Sequence, residues 1–215
     1  MLPGEPRRER VLSREEELRY LGVCGPLMAD IATVLIDSAL RPEELHRLEW
    51  ANVSFLNGRI GCIRGLRGKT HNAARIVPMT ARVRAVLEAR WETMGRPETG
   101  WVFPSKTKSG HIEPSTLRLQ HRKAFETLAE EAKEDKGRLI RPFVLYCLRH
   151  TALTRWAEAG MSPFLLAQLA GHSSVKISQR YVHPTEESLF AAMERASTFA
   201  QPQTKPAALP AQTIQ

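Results

Sequence analysis

A chain of 215 residues holds one sizeable domain or two small ones, and 42% hydrophobic with 25% charged residues is the composition of an ordinary globular protein. Lys and Arg number 31 against 23 Asp and Glu, a net charge of +8 that favours a polyanionic partner without naming one. The longest aliphatic stretch, IATVLI, is far too short to span a bilayer, and the opening MLPGEPRRERVLS lacks the apolar centre of a secretion signal. Cys24, Cys62 and Cys147 form no Cys-x-x-Cys or Cys/His ligand spacing, so we expect reduced thiols in a cytoplasmic protein, no structural zinc and no membrane partner.

Residues 1–10 are polar, with Pro and Arg, and read as a flexible segment. SREE at Ser13–Glu16 has the form of a capping box and opens a short helix. GPLMADIATVLIDSAL has apolar positions at Leu27, Ile31, Val34, Leu35 and Ser38/Ala39, the pattern of a buried helix. In RPEELHRLEW, Pro42 suits the first turn of the next helix. GRIGCIRG and AARIVPMT are β-rich segments around a Gly/Lys/Asn loop and predict a small antiparallel hairpin or sheet. Helices are expected over roughly 80–94, 114–135, 145–160, 162–170, 173–182 and 185–199, and the aperiodic tail 200–215 reads as disordered. The fold class is therefore mainly α with a small antiparallel β-sheet, an α+β domain covering about 11–199.

Charge is unevenly spread. Gly58–Leu87 has no acid but carries Arg59, Arg64, Arg67, Lys69, Arg75, Arg82 and Arg84; Lys136–Thr185 has Glu158 alone against seven Lys and Arg. One such run is an ordinary solvated face as often as not. Two separate acid-free blocks favour nucleic acid.

Four places carry polar residues that a core does not need. In ALRPEEL, Arg41 and Glu44 are three apart, neighbours on one helical face, which a surface ion pair would also explain. RGKTHNAARIVP invites a phosphate-loop reading, but Ile63 stands where that loop needs Gly, and a strand follows where it needs a helix. What remains is Lys69 at a hairpin tip, either solvated or reaching a partner. In YCLRHTALTRW, a helix would bury Leu145, Leu148, Ala152 and Trp156 and turn Tyr146, Arg149 and His150 toward another face. AGHSSVKISQRYVHP places His172 nine residues before Tyr181, in polar and basic surroundings.

This ordered set resembles the tyrosine recombinase family, the phage-integrase-like site-specific recombinases. LRPEELHRLEW is similar to that family's first arginine box, LRHTALTRWAEAG to its second, and LAGHSSVKISQRYVHP to its His-to-Tyr box, over about 13–199. The resemblance implies the recombinase catalytic-domain fold and cleavage of double-stranded DNA by transesterification. Tyr181 would be the nucleophile, leaving a 3′-phosphotyrosine and a free 5′-hydroxyl. Arg41 and Arg149 would clamp the non-bridging phosphate oxygens, a task the planar guanidinium suits better than Lys. His172 would add a donor, Lys69 would protonate the leaving oxygen, and Glu44 would hold a site residue in register. Arg67, Arg75, Lys176 and Arg180 are candidate DNA contacts. The bond energy stays in the protein–DNA ester, so no cofactor or metal is expected.

Two departures stand out. The family usually has His three positions before the second arginine; here it is Tyr146, either a neutral hydrogen-bond donor or a packing residue. Family members usually carry an N-terminal core-binding domain, whereas this chain starts almost directly at the catalytic part, as a fragment or a stand-alone domain would. The last helix, TEESLFAAMERASTFA, has an apolar stripe that packs on its own domain or, as the family pattern implies, docks into a neighbouring protomer, giving a homo-oligomer on DNA. Alternative readings are a catalytically weak or inactive DNA-binding remnant and a topoisomerase of the type that shares this chemistry.

Overall fold

The computed structural model describes residues 10–55, 61–64, 75–134, 139–183 and 185–200. Its first helix, α1 (Arg14–Val23), begins as its sequence dictates. Ser13 Oγ accepts the Glu16 amide at 3.1 Å, and Glu16 reaches back to the Ser13 amide at 3.0 Å. Helix α2 (Pro26–Ser38) starts on Pro26 and buries Met28, Ile31, Val34 and Leu35. It ends at Ala39, whose φ of 51° is the left-handed conformation that closes helices and turns the chain sharply. Arg41 then caps α3 (Pro42–His46), with Pro42 at the first position and Glu44 accepting the Arg41 amide at 2.8 Å. The expected helix over RPEELHRLEW is thus short; a 3-10 turn at Trp50–Asn52 follows it.

Three two-residue strands, β1 (Val53–Ser54), β2 (Cys62–Ile63) and β3 (Val77–Pro78), form an antiparallel sheet in chain order. Val53 pairs with Ile63, and Ile63 with Val77, which keeps Ile63 and Val77 on the buried face. Gly61 enters β2 at φ +96°, where an added Cβ would meet the Ser54 carbonyl oxygen at 2.6 Å.

The remaining helices are α4 (Ala81–Thr93), α5 (Pro114–Glu134), α6 (Tyr146–Glu158), α7 (Pro163–Ala170), α8 (Val175–Gln179) and α9 (Glu186–Ala200). Two buried clusters result. The larger joins α1, α2, the sheet, α4 and α5, and includes a ring set of Tyr20, His121, Phe125 and Phe143. Tyr20 donates its hydroxyl to His121 Nδ1 at 2.6 Å, because His121 Nε2–H is spent on the Phe143 carbonyl at 2.7 Å. The smaller cluster is Ala39, Ala152, Leu153, Leu166, Ala170 and Tyr181.

Helix α6 lies between α2 and α7 and corrects one expectation. Tyr146 emerges at 39% exposure, but Arg149 and His150 do not: every residue from Cys147 to Leu153 is buried, with Arg149 at 0% exposure and His150 at 8%. The middle of the helix is covered from both sides and offers those two no solvent face. By packing, the chain divides into Met1–Val182 and His183–Gln215, the latter carrying α9. Among the described residues no helix is long and apolar enough to cross a membrane.

Candidate active site

The last turn of an α-helix leaves carbonyl oxygens without amide partners and carries partial negative charge. At the end of α7, three arginines take three consecutive ones. Arg75 Nε donates to Leu169 O at 2.6 Å, an Arg149 terminal nitrogen to Ala170 O at 2.7 Å, and an Arg41 terminal nitrogen to Gly171 O at 2.8 Å. Gly171, at φ 65° and ψ 45°, turns the chain so that His172 follows at once. The other terminal nitrogen of Arg149 donates to the Ala39 carbonyl, at the end of α2. Arg149 thereby joins the C-termini of two helices.

Like charges this close need a counterion, and Glu44 supplies it. Its carboxylate takes both terminal nitrogens of Arg75 at 2.8 Å each and one of Arg41 at 2.8 Å. Burial, the largest influence on this carboxyl, raises its pKa; the bonds and charges of Arg75 and Arg41 outweigh it and hold the group below the usual carboxylate range. Arg149 is pushed down to about 10 by burial and by Arg41, and so stays charged at neutral pH.

Tyr181 lies beside this cluster between two imidazoles. Its hydroxyl is 3.2 Å from His150 Nδ1, with the rings 4.9 Å apart, and the His172 ring stacks parallel to it at 6.3 Å. Only 6% of Tyr181 is exposed, and burial pushes its phenol above the ordinary value even though Arg180 pulls the other way. The His172 imidazole, with Nδ1 2.7 Å from Ser178 Oγ, is driven down to about 4 by burial and by Arg149, Arg41, Arg180 and Arg75. At neutral pH it is therefore a neutral ring.

Two arginines, a histidine and a tyrosine are thus gathered from α3, α6, the α7 end and the α8 end. The sequence profile described as the phage integrase family matches residues 26–188, which contain all of them. The chain belongs to the phage integrase family. Tyrosine recombinase XerC of Bifidobacterium longum is 30% identical over 166 residues, 75% of this chain and 44% of that protein. Tyrosine recombinase XerD of Rhizobium meliloti is 29% identical over 164 residues, 75% of this chain and 49% of its own length. The chain therefore spans about half the length of the curated relatives it matches. Among solved structures, the Tn1549 transposon integrase in complex with circular intermediate DNA shares the fold at TM-score 0.64 and 21% identity, over 87% of this chain and 67% of that one. The XerA recombinase crystal structure does so at TM-score 0.61 and 21% identity, over 86% and 63%.

The other residues singled out from the sequence fall in different places. Arg75, expected as a DNA contact, is 6% exposed and lies beneath the site, its three nitrogens taken by Glu44 and Leu169. Lys176 and Arg180 are exposed on α8 and at its C-cap, with the Arg180 guanidinium 5.5 Å over the Tyr181 ring. Tyr146 opens α6 at 39% exposure and lines a cleft of about 520 Å³ with Pro42, His46, Pro114 and Arg118. Lys69 and Arg67 lie outside the described residues. Sequence reading missed His150 as the partner of Tyr181. Its one signal was an imidazole directly after Arg149 in the box that resembles the family's second arginine motif.

Proposed function

We propose that this chain is the catalytic part of a DNA recombinase that cuts and rejoins double-stranded DNA through Tyr181. The observation that carries the reading is the convergence of Arg41, Arg149, His172 and Tyr181 on the C-terminus of α7. A phosphodiester gains charge on its non-bridging oxygens during attack, and donors fixed in advance are worth most there. Arg41, with 34% of its side chain exposed, is the guanidinium open to an incoming phosphate. Arg149 spends one donor of each terminal nitrogen on a helix-end carbonyl, which fixes the guanidinium and leaves further N–H donors for a phosphate oxygen. Neutral His172 adds an N–H donor. Tyr181 O forms the bond to phosphorus and the 5′-oxygen leaves, giving a 3′-phosphotyrosyl link that a second 5′-hydroxyl reverses. Lys69 protonates the leaving oxygen, and Arg67, Lys176 and Arg180 hold the backbone. Tyr146 stands as a neutral donor at the cleft mouth. Assembly as a homo-oligomer on DNA, in the cytoplasm, completes the reading.

Covalent trapping tests it. The protein is incubated with nicked duplexes whose short 3′ fragment is lost after cleavage, then run on denaturing gels. A protein–DNA adduct that disappears in Tyr181→Phe is the expected result. No adduct at low salt and high protein concentration would refute the cleavage reading and leave a DNA-binding remnant.

A further inference from the structure

The Tyr181 hydroxyl must lose a proton before its oxygen can bond to phosphorus, and the surroundings of that hydroxyl limit where the proton goes. Arg180 and His150 hydrogen-bond it. A guanidinium has donors only and no lone pair to offer. The His172 ring lies parallel to the phenol with the centroids 6.3 Å apart, and its Nδ1 is engaged by Ser178. His150 differs from both. Its Nδ1 points at the hydroxyl from 3.2 Å, within the reach required of a general base, and its ring is tilted 55° to the phenol rather than stacked on it. The imidazole is 8% exposed and follows Arg149 on α6, whose burial on both sides fixes the ring.

We propose that His150 is a further catalytic residue: its neutral imidazole accepts the Tyr181 proton at Nδ1 as the phenolic oxygen attacks. This inference rests on the cleavage reading above. In the step, the phenol O–H bond breaks and an N–H bond forms on His150. The oxygen pair forms the O–P bond, and the P–O5′ bond breaks with its electrons on the 5′-oxygen, which takes a proton from Lys69 as in the cleavage reading. Religation runs the same transfers backwards, with the imidazolium returning its proton to the phenolic oxygen. The imidazole must hold its other proton on Nε2 for Nδ1 to act, while the Arg180 and Arg149 guanidiniums favour the phenolate that forms on Tyr181.

The test uses the full chain and the nicked-duplex trap, with adduct formation followed in time for wild type, His150→Gln and His150→Ala. Gln keeps an acceptor oxygen for the phenol but takes no proton at neutral pH. Both variants are expected to form adduct about 10²–10⁴-fold more slowly, the usual contribution of a positioned base. Adding imidazole should accelerate His150→Ala while leaving wild type and His150→Gln unchanged, because only the Ala variant has room for the missing ring. Packing alone predicts neither the Gln defect nor the imidazole response. A His150→Gln rate near that of wild type overturns the proposal, as does a folded His150→Ala that ignores imidazole. Should His150→Ala fail to melt cooperatively, the Gln rate decides. No adduct from wild type refutes the cleavage reading itself, and this inference with it; normal adduct from both wild type and His150→Gln refutes this inference alone.

Discussion

Replacing Glu44 with Ala asks what holds the arginines in place. The Arg75 side chain is 4% exposed and spends both terminal nitrogens on the Glu44 carboxylate, which is itself 5% exposed. Removing one partner of such a pair leaves a charge that water cannot reach, a loss of about 3–5 kcal/mol. Against a total stability of roughly 5–15 kcal/mol, that is a large fraction. For a chain of this size each kcal/mol moves the melting point by about 2–4 °C, so Glu44→Ala should melt roughly 6–20 °C below wild type. Urea denaturation with a two-state fit gives the free energy directly. Glu44→Met combined with Arg75→Met should recover most of the loss, since the deficit lies in the orphaned charge rather than in the missing pair. A Glu44→Ala loss below about 1 kcal/mol, the range of exposed ion pairs, would refute the reasoning.

Two further outcomes follow from the same geometry. Burial lowers the pKa of His46 and His121, and burial with nearby arginines takes His172 to about 4. The unfolded chain takes up protons at these sites below about pH 6.5 while the native chain stays neutral, so stability falls as pH drops from there toward 4. The depressed carboxyls of Glu17 and Glu44 act in the same direction at still lower pH, where the unfolded carboxyls protonate first. Urea midpoints between about pH 7 and pH 5 measure the histidine part, and a flat profile contradicts it. Arg41→Lys keeps the charge but offers one ammonium where the guanidinium serves Glu44 and Gly171 separately. Adduct formation in the trap should fall about 10²–10³-fold with only a small change in melting point; an undiminished rate would remove Arg41 from the phosphate site.

Local signals in the sequence were faithful wherever the cause was local. The Ser13–Glu16 box, Pro42 at a helix start and the β-rich segments flanking the loop each specify their element through neighbours a few residues away. The arginine, histidine and tyrosine boxes also named Arg41, Arg149, His172 and Tyr181, which the fold brings close together. Their arrangement was not legible there. Periodicity places a polar residue on the wet side of a helix, yet Arg149 is fully buried because oxygens 110 and 21 residues away receive its terminal nitrogens. Arg75 read as a surface cation for the same reason: nothing near it in sequence announces Glu44, 31 positions earlier, as its partner. The expected helix at 173–182 shrinks to five residues between the Ser174 cap and the turn that presents Tyr181.

The oxygens that receive these arginines belong to Ala39, Leu169, Ala170 and Gly171, and all are main-chain atoms. No substitution deletes a carbonyl. Substitution at those four positions, Gly171 among them, is limited by the backbone path and the packing it must keep, whereas the arginines are limited by the donors they supply. Mutational tolerance around the site should therefore be lopsided. A saturation library would find the acceptor positions sensitive to shape, above all at Ala39, whose left-handed φ admits Gly and Asn more easily than branched residues. It would find the donor positions sensitive to chemistry. Half of the network that orders the site is thus carried by the path of the chain.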